Sequence, residues 1–522
     1  MQLGFWPLAA EHGGDLALVV HAAGGAPGSE KRYTNAELLA AQNQLVHGLR
    51  ARGLQKGDAV ATMLDNEAAM VELVLAVSQA GLYLVPLNVH LAAPEAAYIL
   101  ADSEAKAFIC SPAHADVARR AADDAKLPAS HRFATGPAEG FLPFDSIKEG
   151  QPTSAPADRA AGLVMNYTSG TTGRPKGVRR PLAPIPPEQL GAGFAQFLML
   201  FGITMRDQGV HLVCSPLYHT AVLNFCTYHL HAGHAIVIMD KWAPEEMLRC
   251  IERYKVTTSH MVPTHMSRLL ALPDEIKRKY DLSSMRHMIH SAAPCPVPVK
   301  YRMLEWWGPV IYEYYSASEG GGTTATPKDW LAHPGTVGKP WPISQIRVLD
   351  DDGQPVPAGK VGTVYIHMGP HQFKYHKDEK KTQDAWKDGF FTVGDAGYLD
   401  EEGFLFLVDR KADMIISGGV NIYPAEIESA MLGFPKIADV AVFGIPDDDW
   451  GEQVKAVVET VEGVVGTPEL AEEILVFCRE HLATYKCPKS IDFTAALPRD
   501  PNGKLYKRKL RDPYWAGRER KI

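Results

Sequence analysis

The sequence predicts an α/β protein: a large N-terminal domain of helix-covered, largely parallel sheets with a small β subdomain, then a small α+β C-terminal domain. Three observations predict it. The first 110 residues alternate helical and strand patterns, the order in which a parallel sheet wrapped by helices is written. The stretch 333–367, "HPGTVGKPWPISQIRVLDDDGQPVPAGKVGTVYIH", holds short β-like runs parted by Pro and Gly. After Asp413 a fresh set of strands and helices begins. The expected units are residues 1–409 and a C-terminal domain at 414–522, with the boundary at 410–413.

The elements follow in order. In "TNAELLAAQNQLVHGL", Thr34 and Glu37 have capping-box spacing and the apolar residues recur at helical intervals. "DAVATML" reads as a buried strand, "EAAMVELVLAVSQAG" as a helix and "LYLVPL" as the next strand. "PEAAYILADSE" and "KAFICS" repeat the helix–strand order, and "GLVMNY" (162–167) reads as one strand. In the C-terminal part "DVAVFGI" and "VKAVVETV" are strands and "PELAEEILVFCREHL" is a helix. Pro424 and Glu426 supply good helix-start chemistry.

Composition narrows the function. With 522 residues, 46% of them hydrophobic, the chain can bury a large core in more than one domain. A net charge of −8 excludes a general nucleic-acid binder, which needs a basic face, but leaves room for a local pocket for one anion. Seven scattered cysteines, with no CxxC pair, predict a reduced, cytoplasmic protein without a cysteine metal site. The N-terminus lacks a signal-peptide pattern, and the apolar runs are too short or are broken by Glu72 and Gln79. No transmembrane segment is expected; transient contact with a membrane surface and the oligomeric state stay open.

One stretch suits neither helix nor strand: "YTSGTTGRPKGV", residues 167–178. Phosphates need many hydrogen-bond donors at close range, and glycine lets backbone N–H groups approach them unhindered. Thr168, Ser169, Thr171 and Thr172 add hydroxyls around Gly170 and Gly173, and Lys176 adds a positive charge. This is not a Walker A loop, because Pro175 stands where GxxxxGK[ST] needs Gly.

The string closely resembles the phosphate loop of the adenylate-forming superfamily, and further family motifs occur in order. "SAAP" (291–294) resembles the adenine-contacting turn, which implies that Ala292, Ala293 and Pro294 border the base. "YSASEG" (315–320) resembles Y-G-x-T-E-G, implying Tyr315 against adenine, Ser318 in the nucleotide site and Glu319 on Mg²⁺ with Thr171. "VGDAG" (393–397) resembles T-G-D, whose carboxylate, here Asp395, holds the ribose. "DRKADMI" (409–415) matches the hinge motif, with Arg410 a second ribose contact, and "PRDPNGK" (498–504) ends on the adenylating lysine, Lys504. "SGGVN" (417–421) resembles the strand that lines a pantetheine tunnel, where Gly418 and Gly419 would admit the thiol arm; a plain turn before a helix is compatible with the same residues.

The resemblance to acyl-CoA synthetases implies two steps, with ATP, Mg²⁺ and coenzyme A. A carboxylate attacks the α-phosphate of ATP, giving acyl-AMP and pyrophosphate; a thiol then takes the acyl group and AMP leaves. "CSPLYHTAVLN" (214–224) resembles the acyl-pocket motif, with Tyr218, His219, Ala221, Val222 and Asn224 as lining and Ser316, Gly320 and Gly321 opposite. His219 stands where amino-acid-activating domains place Asp, so an amino acid is not the expected substrate. No Arg or Lys lies in these segments, and the expected acid is an apolar monocarboxylate. An aryl or hydroxycinnamate-type acid, a carrier-protein acceptor and a catalytically silent sensor are the rival readings. Retention of Lys504, Glu319 and Asp395 argues against the sensor. The chain departs from the family pattern at Ser316 (usually Gly), Val393 (usually Thr), Asp409 (usually Gly) and Ala412 (often Asp or Lys).

Overall fold

The computed structural model describes residues 4–24, 28, 30–168, 175–369, 373–410, 413–418, 420–499 and 505–516, without the side chains of Thr168 and Arg410. Ser169, Gly170, Thr171, Thr172, Gly173, Ala412, Gly419 and Lys504 lie outside the described residues.

The alternating elements of the first third form where the pattern puts them. Helix Asn35–Ala51 opens on the capping box: Thr34 accepts from the Glu37 N–H, and the Glu37 carboxylate accepts from the Thr34 N–H at 2.7 Å. Strands Ala59–Met63, Tyr83–Pro86 and Ala105–Cys110 join three shorter ones in a six-stranded, all-parallel sheet. Helix Ala68–Ala80 is apolar nearly all round, and it is buried nearly all round in the core between this sheet and the next.

That next sheet has nine strands. Its centre runs parallel from Leu16–His21 through Ala235–Met239, Val210–Val213, Thr258–Met261 and His287–His290 to Ile311–Ala317. Antiparallel strands close both edges, Lys31–Thr34 on one side and Gly320–Ala325 with Lys339–Pro340 on the other. The turn-rich stretch builds the expected β subdomain, an antiparallel sheet that includes Gln345–Leu349, Gly362–His367, Asp395–Leu399 and Leu405–Arg410. The C-terminal part folds around a five-stranded sheet whose long hairpin, Ile437–Asp447 with Gly451–Thr460, packs against helices Pro424–Met431 and Pro468–His481.

One expectation needs correcting. "GLVMNY" is not a single strand. Leu163–Val164 ends the six-stranded parallel sheet, whereas Asn166–Thr168 pairs antiparallel with Lys176–Arg179 in a separate three-stranded sheet. Between them Met165 is buried and its N–H donates to Leu84 O at 2.8 Å, which pins the crossing point. The strands on either side of the glycine-rich string are thus the two arms of a hairpin. Among the described residues no helix is long and apolar enough to cross a membrane.

Candidate functional site

Parallel sheets bind ligands beyond the carboxyl ends of their strands, and two neighbouring strands of the nine-stranded sheet end here in motif residues. After His287–His290 comes Ser291-Ala292-Ala293-Pro294, and Ile311–Ala317 carries Tyr315 and Ser316. Ala292 has φ 73°, a left-handed conformation that costs a residue with a Cβ and that clusters at functional turns. Ala292, Ala293, Pro294, Tyr315, Ser318 and Glu319 line one large cleft.

The β subdomain brings Asp395 to the same place. The Tyr315 hydroxyl donates to Asp395 Oδ2 at 2.6 Å, joining residues 80 positions apart, and Asp395 is buried at 9% exposure. Asp395 also pairs in strand register with Arg410, so three motif positions meet on one wall. Glu319 is 6% exposed, and its Oε1 accepts from the Tyr375 hydroxyl at 2.7 Å.

Tyr375 ties this carboxylate to the hairpin whose arms flank the glycine-rich string. Its strand, Lys374–Tyr375, pairs with Lys176–Arg179, so the hairpin is held beside Glu319. Lys176 pairs with Asp378 at 3.0 Å. Lys381 sits 4.3 Å from the centre of the Tyr375 ring. Burial pulls its pKa below the usual lysine value, against the opposing pull of Glu319 and Asp378. The structure thus gathers two lysines and two carboxylates around the base of the hairpin.

Helix Thr220–His231 builds another wall of the cleft. His219 is its N-cap residue, and its ring lies 4.3 Å from that of buried Tyr218. Along the helix Ala221, Asn224, Phe225 and Tyr228 line the cleft, the i, i+3, i+4, i+7 stripe of one face. Val222 is corrected by this phase: it points round the helix into the core, 4% exposed, in the cluster that holds Leu217 and Leu223. Opposite, Gly320 and Gly321 line the cleft with φ of 122° and 67°. A Cβ at Gly320 would lie 2.6 Å from Met368, and one at Gly322 would lie 2.1 Å from Tyr315 O, so the glycine run is set by packing as well as by the cleft. Ser316 lines the cleft too, but its hydroxyl donates to Gly321 O at 2.7 Å and fastens the hairpin.

The small domain faces the same cleft through Asn421, Tyr423, Arg499, Leu505 and Lys507. Arg499 forks onto Asp439 at 2.5 and 2.7 Å, fixing one flank of the segment that carries Lys504. Asp409 has a structural reason for replacing the family glycine: its Oδ2 accepts from Ala425 N–H at 2.9 Å, in the first turn of helix Pro424–Met431. Gly418 sits in the turn between strands Ile415–Ser417 and Val420–Ile422, with φ 58° and its N–H on Trp450 O at 2.8 Å. A Cβ there would lie 2.3 Å from the Trp450 ring. Gly418 is exposed and is not among the residues that line the cleft.

Comparison with known proteins agrees with this arrangement. The family model for AMP-binding enzymes matches residues 5–375, and the model for the AMP-binding enzyme C-terminal domain matches 426–504. The chain belongs to the AMP-binding, adenylate-forming enzymes. It is 34% identical to a feruloyl-CoA synthase of Amycolatopsis over 512 residues, covering 98% of each chain. It is 32% identical to a long-chain fatty acid–CoA ligase of Mycobacterium tuberculosis over 499 residues, covering 94% of this chain and 95% of that one. Among solved structures it resembles the o-succinylbenzoate-CoA synthetase of Bacillus subtilis in complex with its acyl-adenylate intermediate, with a TM-score of 0.80, 28% identity and 98% of each chain covered. These relatives put the enzyme in the acyl-CoA synthetase branch.

Sequence reasoning missed several residues of this enzyme's cleft. Phe225 and Tyr228 were legible, since they continue the helical stripe from Ala221 and Asn224. Tyr375 and Lys381 belong to no motif and reach Glu319 only through the pairing of two short strands. Arg180 lies two residues beyond the hairpin's "PKGV", outside every pocket motif, yet it lines the cleft.

Proposed function

We propose that this enzyme activates a carboxylic acid with an apolar body as acyl-AMP, releasing pyrophosphate, and then transfers the acyl group to coenzyme A with release of AMP. The observation that carries the reading is the Tyr315–Asp395 hydrogen bond, which joins an adenine motif and a ribose motif on the wall of a cleft that also takes in Glu319 and the His219 helix. In this reading residues 1–409 hold ATP and the acid, 410–413 act as hinge, and 414–522 swing between the two steps.

Roles follow from charge. The acid attacks a polyanion, so groups around the α-phosphate must neutralise negative charge as the transition state forms. Ser169, Gly170, Thr171, Thr172 and Gly173, with Thr168 and Lys176, cradle the β- and γ-phosphates. Lys504 stabilises the charge developing on the α-phosphate. Ala292, Ala293, Pro294, Tyr315 and Ser318 hold the adenine end, and Asp395 with Arg410 holds the ribose. His219 and Tyr218 orient the acid at the mouth of the pocket.

Glu319 suits a divalent cation. It offers hard oxygen donors, Tyr375 fixes one of them, and the other makes no hydrogen bond among the described residues. Glu319 with Thr171 would hold magnesium, which would supply positive charge against that of the phosphates. Gly418 and Gly419 serve the second step, in which the small domain has turned.

A panel of fatty and aryl acids, assayed for pyrophosphate release and for AMP release with and without CoA, tests the proposal. Acid-dependent pyrophosphate release with CoA-dependent AMP release is the expected result. Adenylate formation without CoA-dependent turnover would favour a carrier-protein acceptor, and no acid-dependent pyrophosphate release would overturn the reading.

A further inference from the structure

Arg180 follows strand Lys176–Arg179, and its backbone oxygen accepts from the Tyr83 hydroxyl at 2.7 Å. This holds the chain so that its side chain enters the cleft. There Nη2 donates to Ser318 O at 2.5 Å. That is the guanidinium's one hydrogen bond among the described residues, and none of their carboxylates lies within ion-pairing distance of it. A guanidinium has five N–H donors in a planar fork, so most of its capacity faces the cleft. Burial draws its pKa below the ordinary arginine value, against the opposing pull of Tyr228 and Glu319. A partly buried cation that no carboxylate pairs with directly is costly unless something supplies acceptors.

The surroundings say where those acceptors would be. A Cβ at Gly320 would lie 3.7 Å from Arg180 Nη2, so the guanidinium borders the acyl side of the Tyr315–Gly322 hairpin. Asn224 and Tyr228, one turn apart on helix Thr220–His231, line the same cleft, and neither side chain makes a hydrogen bond among the described residues. The rest of this wall is aromatic: Phe194 stacks on Tyr228 at 4.9 Å, and Phe197 meets Trp341 edge-on at 5.0 Å. An apolar pocket with a few convergent polar groups is the usual form of a site that selects its ligand by one polar feature.

We propose that Arg180, with Tyr228 and Asn224, forms a polar end to the acyl pocket, and that the acid activated by this enzyme carries an oxygen acceptor on its tail, away from the reacting carboxylate. The inference rests on the acid-activating reading above and adds a substrate class to it: an apolar or aryl body bearing a hydroxyl, carbonyl or carboxylate oxygen. Arg180 is then a specificity residue, because a site built to hydrogen-bond a substrate oxygen rejects analogues that lack it.

Matched acids test this: cinnamic against 4-hydroxycinnamic and 4-carboxycinnamic acid, and decanoic against 10-hydroxydecanoic and decanedioic acid. Each is assayed by acid-dependent pyrophosphate release with the wild-type enzyme, Arg180→Leu and Arg180→Lys. In the wild type, kcat/KM should favour at least one oxygenated acid over its plain partner by roughly tenfold or more. The hydroxyl and carboxylate arms tell a neutral acceptor from an anionic one. Arg180→Leu should erase the preference and Arg180→Lys should keep part of it. If the wild type used plain and oxygenated acids equally well, the proposal would be overturned while acid activation stood. An equal fall with every acid in Arg180→Leu, or a rise confined to the KM for ATP, would also overturn it, placing Arg180 at the reacting carboxylate or on the nucleotide. Should Arg180→Leu fail to give a cooperative melt, the wild-type pairs and Arg180→Lys still decide. No acid-dependent release at all would overturn the acid-activating reading itself.

Discussion

On the large domain Tyr315 already holds Asp395, and Tyr375 already holds Glu319, each by a hydrogen bond of 2.6–2.7 Å between segments far apart in sequence. On the small domain Gly418 lies at an exposed hairpin turn against Trp450, away from the cleft lining. The first region has its polar groups fixed before any ligand arrives, which is how charge stabilisation gains strength in a site. In the proposed second step, the other region would take a new position relative to the acid before serving a thiol. The difference fits an enzyme that makes its adenylate on one preorganised face and brings the acceptor machinery to it afterwards. Asp409 stands between the two regions, as the last strand of the large domain holds the first turn of helix Pro424–Met431 through it.

Lys504→Ala gives the sharpest separation of the two regions. One preorganised charge at a developing anion is worth roughly 3–4 kcal/mol, so acid-dependent pyrophosphate exchange should fall by about two to three orders of magnitude. Thioester formation from supplied acyl-AMP should persist. An equal loss in both half-reactions by a folded variant would break the comparison.

Tyr315→Phe probes the preorganised face alone. It keeps an aromatic ring for the adenine but removes the donor to Asp395; a hydrogen bond to a charged group is worth roughly 1.5–3 kcal/mol. The KM for ATP should rise by about tenfold or more, with the KM for CoA little changed. Equal effects on ATP and CoA would deny that this bond serves the nucleotide.

The smallest effect belongs to the junction. Asp409→Ala removes an acceptor for the first turn of a helix, a loss of about 0.5–2 kcal/mol. The melting of the small domain, followed by hydrogen exchange in residues 424–431, should weaken by that amount. Unchanged protection there would remove Asp409 as a clasp between the regions.

Much of this could be read from the sequence. Helices and strands of the first third followed from periodicity and one capping box, because each is fixed by neighbours within a few residues. The motif residues were legible because their order survives along the chain, even though Tyr315 and Asp395 meet only in the fold. Arg180, Tyr375 and Lys381 were not, since strand pairing alone brings them to Ser318 and Glu319. Val222 marks the opposite limit: it lies in the run of motif neighbours, but the 3.6-residue period turns it into the core.

The central claim, that adenylate formation and thioester formation depend on different regions, is tested most directly with Gly419→Leu. Gly418 is unsuited to the test because its positive φ and the Trp450 ring oppose any side chain. Carboxylate-dependent pyrophosphate exchange and CoA-dependent AMP release should be measured on the same preparation, after a melt shows that the variant is folded. The account predicts near-normal exchange with AMP release reduced by at least about tenfold. Equal reduction of both, or normal release of AMP in the presence of CoA, would contradict it.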